Sequence, residues 1–466
     1  MPLIEKSAIR NKNGSYSEST MTLAGADENL KRGIWPRSVV LWMAAFYVAL
    51  FIIRPWEQLL PWLGAIYFEK VYALCMIAAV FFSGKKKLKM NLQTLAVILF
   101  LFAISFSAIF ARHPSLAWDP LYAYLTLTIF YFILLLVIRT PYELAFMVTC
   151  YIVTMAVYLG KSQWEFFVHG AHRSTQGVTR LCGIESTFGG PNSLAMSVVI
   201  SLPVLIFLWS IRKEFSCRWP KLWSKWFPRF LVFYSLLAVS SIILTNSRSG
   251  MVSFILFVLL ATFRGRGIGR KLGYILFGVL LLATLWLVIP EEHKGRFITI
   301  WDPESGPKIA EKSAEGRREG FKAGMEMFDR FPLTGVGIGN FIEYRVAHVD
   351  GVSLNAHNLI GQVLGETGVV GGGAFLFMVA ITIVNCFKIR GIARRNRSDP
   401  KLAALSGLGL ACRDALILLA FEGLFGHNLL RFNWLWLAAF SSLALQFGRV
   451  MLKQEAQRND YVKAVL

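Results

Sequence analysis

Charge is scarce in this sequence. Only 17% of its 466 residues are Asp, Glu, Lys or Arg, where a soluble domain carries about 25%. With 55% hydrophobic residues and a mean hydropathy of +0.52, that scarcity excludes an ordinary soluble globular fold. Acidic residues are scarcer still, 28 against 49 basic ones, for a formal net charge of +21. In a soluble chain this excess would point to nucleic acid. Here the basic residues gather in short loops between apolar blocks, as the positive-inside rule describes, and nucleic acid is set aside. Cysteine is sparse: six residues, no CxxC pair, so neither a metal framework nor a disulfide frame is indicated. The N-terminus lacks the early apolar stretch of a cleaved signal peptide, and residues 1–35 read as a cytoplasmic tail.

What the sequence has is apolar blocks near 20 residues, the length a bilayer-spanning helix needs. Twelve are expected: 39–53, a second ending at Phe82, 92–110, a fourth ending at Arg139, 142–159, a sixth beginning near Pro191, a seventh ending at Thr245, an eighth ending at Thr262, 272–289, 358–387, an eleventh holding Arg413 and Asp414, and 432–446. The tenth should tilt or break near Gly371-Gly372-Gly373. The fold expected is all-α and polytopic, with a tail over 1–35, nine helices over 36–290, a large outer loop over 291–356, three helices over 357–447 and a tail over 448–466. Twelve crossings put both termini inside, the basic loops SGKKKLK, IRKEFSCRWPKLWSKWFPR, RGRGIGRK and KIRGIARRNRSDPK with them, and the slightly acidic large loop outside.

Ionisable groups at a membrane are costly and so are functional candidates. Several collect on the expected outer face. Arg248 sits in NSRSG, a turn too short to carry its side chain away from the membrane edge; a guanidinium there matches phosphate oxygens, or snorkels to a lipid headgroup. Arg180 lies between Gly177 and Gly183 in a long polar loop, either as an anion ligand or paired with Glu185. Arg317 and Arg318 open a segment, 315–328, whose Phe321, Met325 and Phe328 recur at helical spacing. That helix is expected to lie on the membrane, with GVGIG after it as a flexible corner. His357 stands beside Asn358 where polar sequence gives way to the tenth block, either as a general base or as a helix-end residue. His348 and His427 are its rivals. Glu366 follows within GETG, placed to orient a partner or fix an arginine. No metal site is indicated.

Four stretches carry a resemblance: FGGPNSLA (188–195), TNSRSG (245–250), EGRREGFKAGMEMFDRFPLTGVGIGNF (315–341) and AHNLIGQVLGETGVVG (356–371). In order, spacing and topology they resemble the O-antigen ligase and O-antigen polymerase superfamily of bacterial membrane glycosyltransferases. The resemblance implies a GT-C-like enzyme of the bacterial inner membrane, its active site periplasmic. It would transfer a glycan from undecaprenyl pyrophosphate with inversion and without metal or other cofactor. It places Arg180, Arg248 and Arg317 on the pyrophosphate and makes His357 the base. Arg318, Asn358, Glu366 and His348 are, from their positions in the sequence, further candidates for supporting roles. The acceptor implied for a ligase is a hydroxyl of lipid A–core. A polymerase would take another lipid-linked repeat, and a protein O-oligosaccharyltransferase a serine or threonine. A twelve-helix transporter is the alternative of a different class, but the sequence shows no convincing internal repeat.

Overall fold

The computed structural model describes residues 36–84, 90–175, 178–188, 190–216, 220–264, 309–396 and 399–465, with scattered positions between 269 and 279. These residues fold almost entirely into helices. In chain order they are α1 (Val39–Ile53), α2 (Pro61–Ala65), α3 (Phe68–Phe82), α4 (Leu92–Ile109), α5 (Pro114–Val137), α6 (Pro141–Val168), α7 (Pro191–Ser216), α8 (Lys221–Leu244), α9 (Arg248–Arg264), α10 (Ile309–Arg330), α11 (Phe341–His348), α12 (Leu359–Arg395), α13 (Pro400–Gly423) and α14 (Phe432–Val465). Between α6 and α7 lie two short antiparallel strands, β1 (Arg173–Thr175) and β2 (Val178–Arg180), with Arg173 opposite Arg180. The sequence alone read that stretch as loop.

The helix starts follow local chemistry. Ser38, Asn91 and Asp399 each accept a backbone N–H of the first turn through a side-chain oxygen, removing donors the helix cannot satisfy itself. Thr140 and Glu143 form a reciprocal capping box before α6, with Pro141 at the first helical position. Eight described helices, α4 to α8 and α12 to α14, are long and apolar enough to cross a membrane. The chain is a membrane protein. The helices α1, α3 and α9 coincide with three more expected blocks but are shorter, at 15, 15 and 17 residues. The ninth block, most of 272–289, lies outside the described residues, as do the first part of the large loop and the tail 1–35.

Hydrogen bonds tie the apolar bundle together where hydrophobicity alone gives helices no reason to associate. Gln93 of α4 donates to the Met378 carbonyl and accepts from Thr382 and Asn385 of α12. A smaller core of Ala323, Met327, Val336, Phe341, Tyr344 and Ala356 forms in the segment before α12. Phe321, Met325 and Phe328, the face expected to lie on the membrane, are not part of this core. The small face of α10 packs on α12: a Cβ on Gly320 would stand 2.2 Å from the Ala356 carbonyl oxygen, and one on Gly324 2.4 Å from that of Gly361. Gly320 and Gly324 thus meet Gly361 and Gly365 backbone to backbone, the small-xxx-small crossing.

The GVGIG stretch is not a flexible corner. Val336 and Gly337 donate to the carbonyls of Gly365 and Glu366, Ile338 donates to Ser107, and Arg112 donates to the Val336 carbonyl. Its glycines allow this threading: a Cβ on Gly337, at φ 105, would lie 2.3 Å from that of Ala111. The break in α12 falls at Gly368 (φ 61), not at 371–373. There the passing loop takes up the freed donors, Val369 bonding to the Pro332 carbonyl and Val370 to that of Leu333.

Candidate active site

At one end of the bundle, Thr245 closes α8 and Asn246 adopts a left-handed φ of 48, a conformation asparagine tolerates better than most. Ser247 then starts α9: its Oγ accepts from Gly250 N–H and its carbonyl from Met251 N–H. Two residues thus reverse the chain and leave Arg248 half-buried in the first turn of α9. Arg180 braces this turn. Its Nε donates to the Thr245 carbonyl at 2.9 Å, and a terminal nitrogen donates to Asn192 Oδ1 at 2.8 Å. Asn192 also accepts from Ser247. Arg180 is buried at 7% exposure, and Glu185 pairs with Lys161 rather than with it.

Arg317 lies in the N-terminal half of α10 and is held there by the glycine crossing that begins one turn later at Gly320. Its guanidinium lies over the Phe425 ring, 5.7 Å from the centroid. Burial lowers its pKa, the nearby Arg248 charge lowers it further, and Glu422 opposes both. Arg317 is thus within electrostatic reach of both Arg248 and the buried Glu422. Arg318, about 100° around the helix, is exposed.

His357 precedes α12 with φ 45, a strained setting for a side chain that must be held by its surroundings. Asn358 supplies one restraint: its Oδ1 accepts from Ile360 and Gly361, and its Nδ2 donates to the Leu424 carbonyl after α13. The other is Arg345, fully buried in α11. It chelates Asp350, with Nε 2.9 Å from Oδ1 and a terminal nitrogen 2.6 Å from Oδ2, and donates to the Leu354 carbonyl. That clamp fixes the chain running into His357. The His357 ring meets that of His427 at 5.3 Å between centroids. Burial holds the His357 pKa below its ordinary value, with Arg317 and Arg345 adding to the shift. Burial, His357 and Arg431 push His427 down to about 4. Both imidazoles are thus neutral near pH 7.

Glu366 does not reach an arginine through any of its hydrogen bonds. It is 3% exposed, its Oε1 accepts from Gly339 N–H at 3.1 Å and its Oε2 faces Gln362 at 3.4 Å, so it anchors the glycine loop. His348 ends α11, exposed, with its ring against Tyr344. Residues passed over in the sequence complete the cluster. Glu422, 2% exposed, faces the hydroxyls of Ser249 and Ser253 and the charges of Arg431 and Arg317. Burial pushes the Arg431 pKa down to about 10, so it stays cationic. Their signal was present in FEGLFGHNLLR, a short turn between apolar blocks carrying four polar side chains, but nothing local linked it to Arg248 or His357.

The arrangement puts two cations and a neutral imidazole, from α9, α10 and the start of α12, beside one another at a bundle end. Such a group can bind a doubly anionic ligand and accept a proton. No curated protein matches the chain. The family model described as O-antigen ligase matches residues 233–376, just under a third of the chain, a segment that holds Arg248, Arg317 and His357. Over that segment the chain is similar to the O-antigen ligase family, which supports a place in the O-antigen ligase and polymerase superfamily.

Proposed function

We propose that this protein transfers an O-antigen-type glycan from undecaprenyl pyrophosphate to a hydroxyl of lipid A–core at the periplasmic face of the inner membrane. The observation that carries the reading is the convergence of Arg248, Arg317 and His357 inside the family-matched segment. Two like charges in one partly buried locality repel, and a pyrophosphate between them relieves that repulsion and accepts their fork of donors.

In the reaction, the acceptor hydroxyl attacks the anomeric carbon from the face opposite the pyrophosphate, with inversion. His357 takes the hydroxyl proton as the new C–O bond forms. The old C–O bond breaks, and its electron pair leaves with undecaprenyl pyrophosphate, whose growing charge Arg248 and Arg317 stabilise in a site of low dielectric. Arg180 supports the phosphate end by bracing the Thr245–Ser247 turn that carries Arg248, and Asn358 and the Arg345–Asp350 clamp orient the base.

The test is transfer by purified protein from a defined undecaprenyl-pyrophosphate glycan, with lipid A–core present or omitted. Wild type should label lipid A–core, and folded His357→Ala and Arg248→Ala proteins should lose at least about 10²-fold in rate, the scale of one positioned charge-stabilising donor. Chain growth without lipid A–core would make the enzyme a polymerase. Undiminished transfer by His357→Ala would remove that residue from the mechanism.

A further inference from the structure

His427 has no task in that mechanism and lies outside the family-matched segment. Its ring nonetheless meets that of the base, with 5.3 Å between centroids and 61° between planes, an edge-to-face arrangement that aromatic rings favour. We propose that His427 is a positioning residue: held by the turn between α13 and α14, its ring fixes the orientation of the His357 imidazole and screens it from water. The inference rests on the transferase reading above.

The base needs such a partner. Asn358 ties the start of α12 to the Leu424 carbonyl, and the Arg345–Asp350 clamp holds the chain running into His357. Both restrain backbone. Among the described residues no hydrogen bond reaches the imidazole itself. A side chain free about its torsions visits several staggered positions, and a general base works only within hydrogen-bond reach of its proton. A ring packed edge-to-face removes most of those positions, which is how neighbouring side chains lock a working one.

The turn is built to hold a ring there. Before His427, Leu424 and Phe425 donate to the Phe421 and Glu422 carbonyls as α13 ends. After it, the buried Asn428 donates to the Leu419 carbonyl, its own carbonyl accepts from the Trp434 indole, and Leu429 N–H donates to Gln362 of α12. The backbone around His427 is thus pinned to α12, α13 and α14, while its side chain keeps open surface. It sits at the rim of the site against the half-buried base. The same turn sets the Phe425 ring against the Arg317 guanidinium and the Leu424 carbonyl on Asn358. One short segment touches both Arg317 and the base, and so fixes the gap between them.

The charged groups around the pair are Arg317 of α10 and Arg345 of α11 beside His357, and Arg431 beside His427. Burial is the larger cause of the lowered His357 pKa, so loss of the His427 ring should let that pKa climb toward the ordinary value of about 6.5. The experiment compares full-length wild type, His427→Ala and His427→Phe in nanodiscs. An exposed position tolerates both substitutions, and thermal unfolding confirms it. The acidic limb of kcat/KM should lie about half a pH unit or more higher in His427→Ala than in wild type. Its kcat should fall about tenfold or more, with the donor KM within about twofold. His427→Phe keeps the ring without its nitrogens; it should retain the wild-type limb and a kcat within about threefold. Independently of turnover, diethyl pyrocarbonate labels neutral imidazole, and peptide mass spectrometry follows that labelling of His357 against pH. The labelling midpoint should move up in His427→Ala and stay in His427→Phe. An unmoved midpoint in folded His427→Ala would overturn the proposal. So would a His427→Phe protein as impaired as His427→Ala, because the nitrogens and not the ring would then be at work. If wild type transfers to no acceptor, the transferase reading fails by itself, and the labelling still decides whether His427 shields His357.

Discussion

On the proposed mechanism His357 is a base weakened by its surroundings. Because burial and two arginines lower its pKa, the imidazole stays neutral as pH falls past the ordinary histidine value of about 6.5 and protonates only below it. Activity should therefore hold through pH 6.5 and fall on an acidic limb beneath that value, in a pH–rate profile of kcat/KM. A limb at or above 6.5 would contradict the assignment. The clamp behind it gives a second prediction. Arg345 has no exposed surface and Asp350 is one-third exposed. Asp350→Asn leaves a buried guanidinium poorly compensated, at a cost of about 2 kcal/mol, less than for a fully buried pair. It should lower Tm and reduce kcat more than donor affinity, because the loosened segment carries the base. An equal loss in both would make the clamp merely structural.

At the scale of elements, the crossing of α10 and α12 decides whether Arg317 reaches the site. Gly324→Leu places carbon where the Gly361 carbonyl now sits, at 2.4 Å from a Cβ, and the backbones must part. Transfer should fall by about 10²-fold, the effect of a displacement near 1 Å, while far-UV circular dichroism still reports the helices. Gly316→Ala, on the same helix and with nothing within 4 Å of its Cβ, should keep activity. Equal effects from the two substitutions would dismiss the crossing as the device that positions Arg317. The kink at Gly368 is sensitive for a different reason. Its φ of 61 is the left-handed region, and Leu333 occupies the space of a side chain, so even alanine there should cost activity.

For the molecule as a whole, orientation and charge are the testable features. In a background without native cysteines, Ser353→Cys, which is exposed, should react in intact cells with a membrane-impermeant maleimide that has crossed the outer membrane. Lys401→Cys, also exposed, should react only after the inner membrane is opened. The reverse pattern would invert the proposed topology and put the site in the cytoplasm. On the proposed mechanism guanidiniums take the charge-stabilising role that a divalent cation fills in many transferases, so turnover should survive EDTA; a complete loss restored by added metal would refute that role.

Much of this protein was written in the order of its residues. Apolar runs near the thickness of a bilayer, broken by Pro, Asn and Ser caps, determined the helices, because hydrophobic length and unsatisfied end donors are local properties. Basic loops against an acidic one gave the expected orientation, and four motifs gave the family resemblance. Three site residues, Arg248, Arg317 and His357, stood out because charge at a membrane edge is costly wherever the chain goes next. Tertiary structure alone decided what those residues meet. It packed the glycine face of α10 on α12, since backbone-close packing of glycines far apart in sequence has no local sign. It gave Arg180 the turn before α9 to hold, paired Glu185 with Lys161, and bound Glu366 to the glycine loop. It brought Glu422 and Arg431, which the sequence did not single out, and His427, which it named only as a rival, against the histidine and the arginines. Such contacts depend on distances between segments tens to hundreds of residues apart, and only the folded chain sets them.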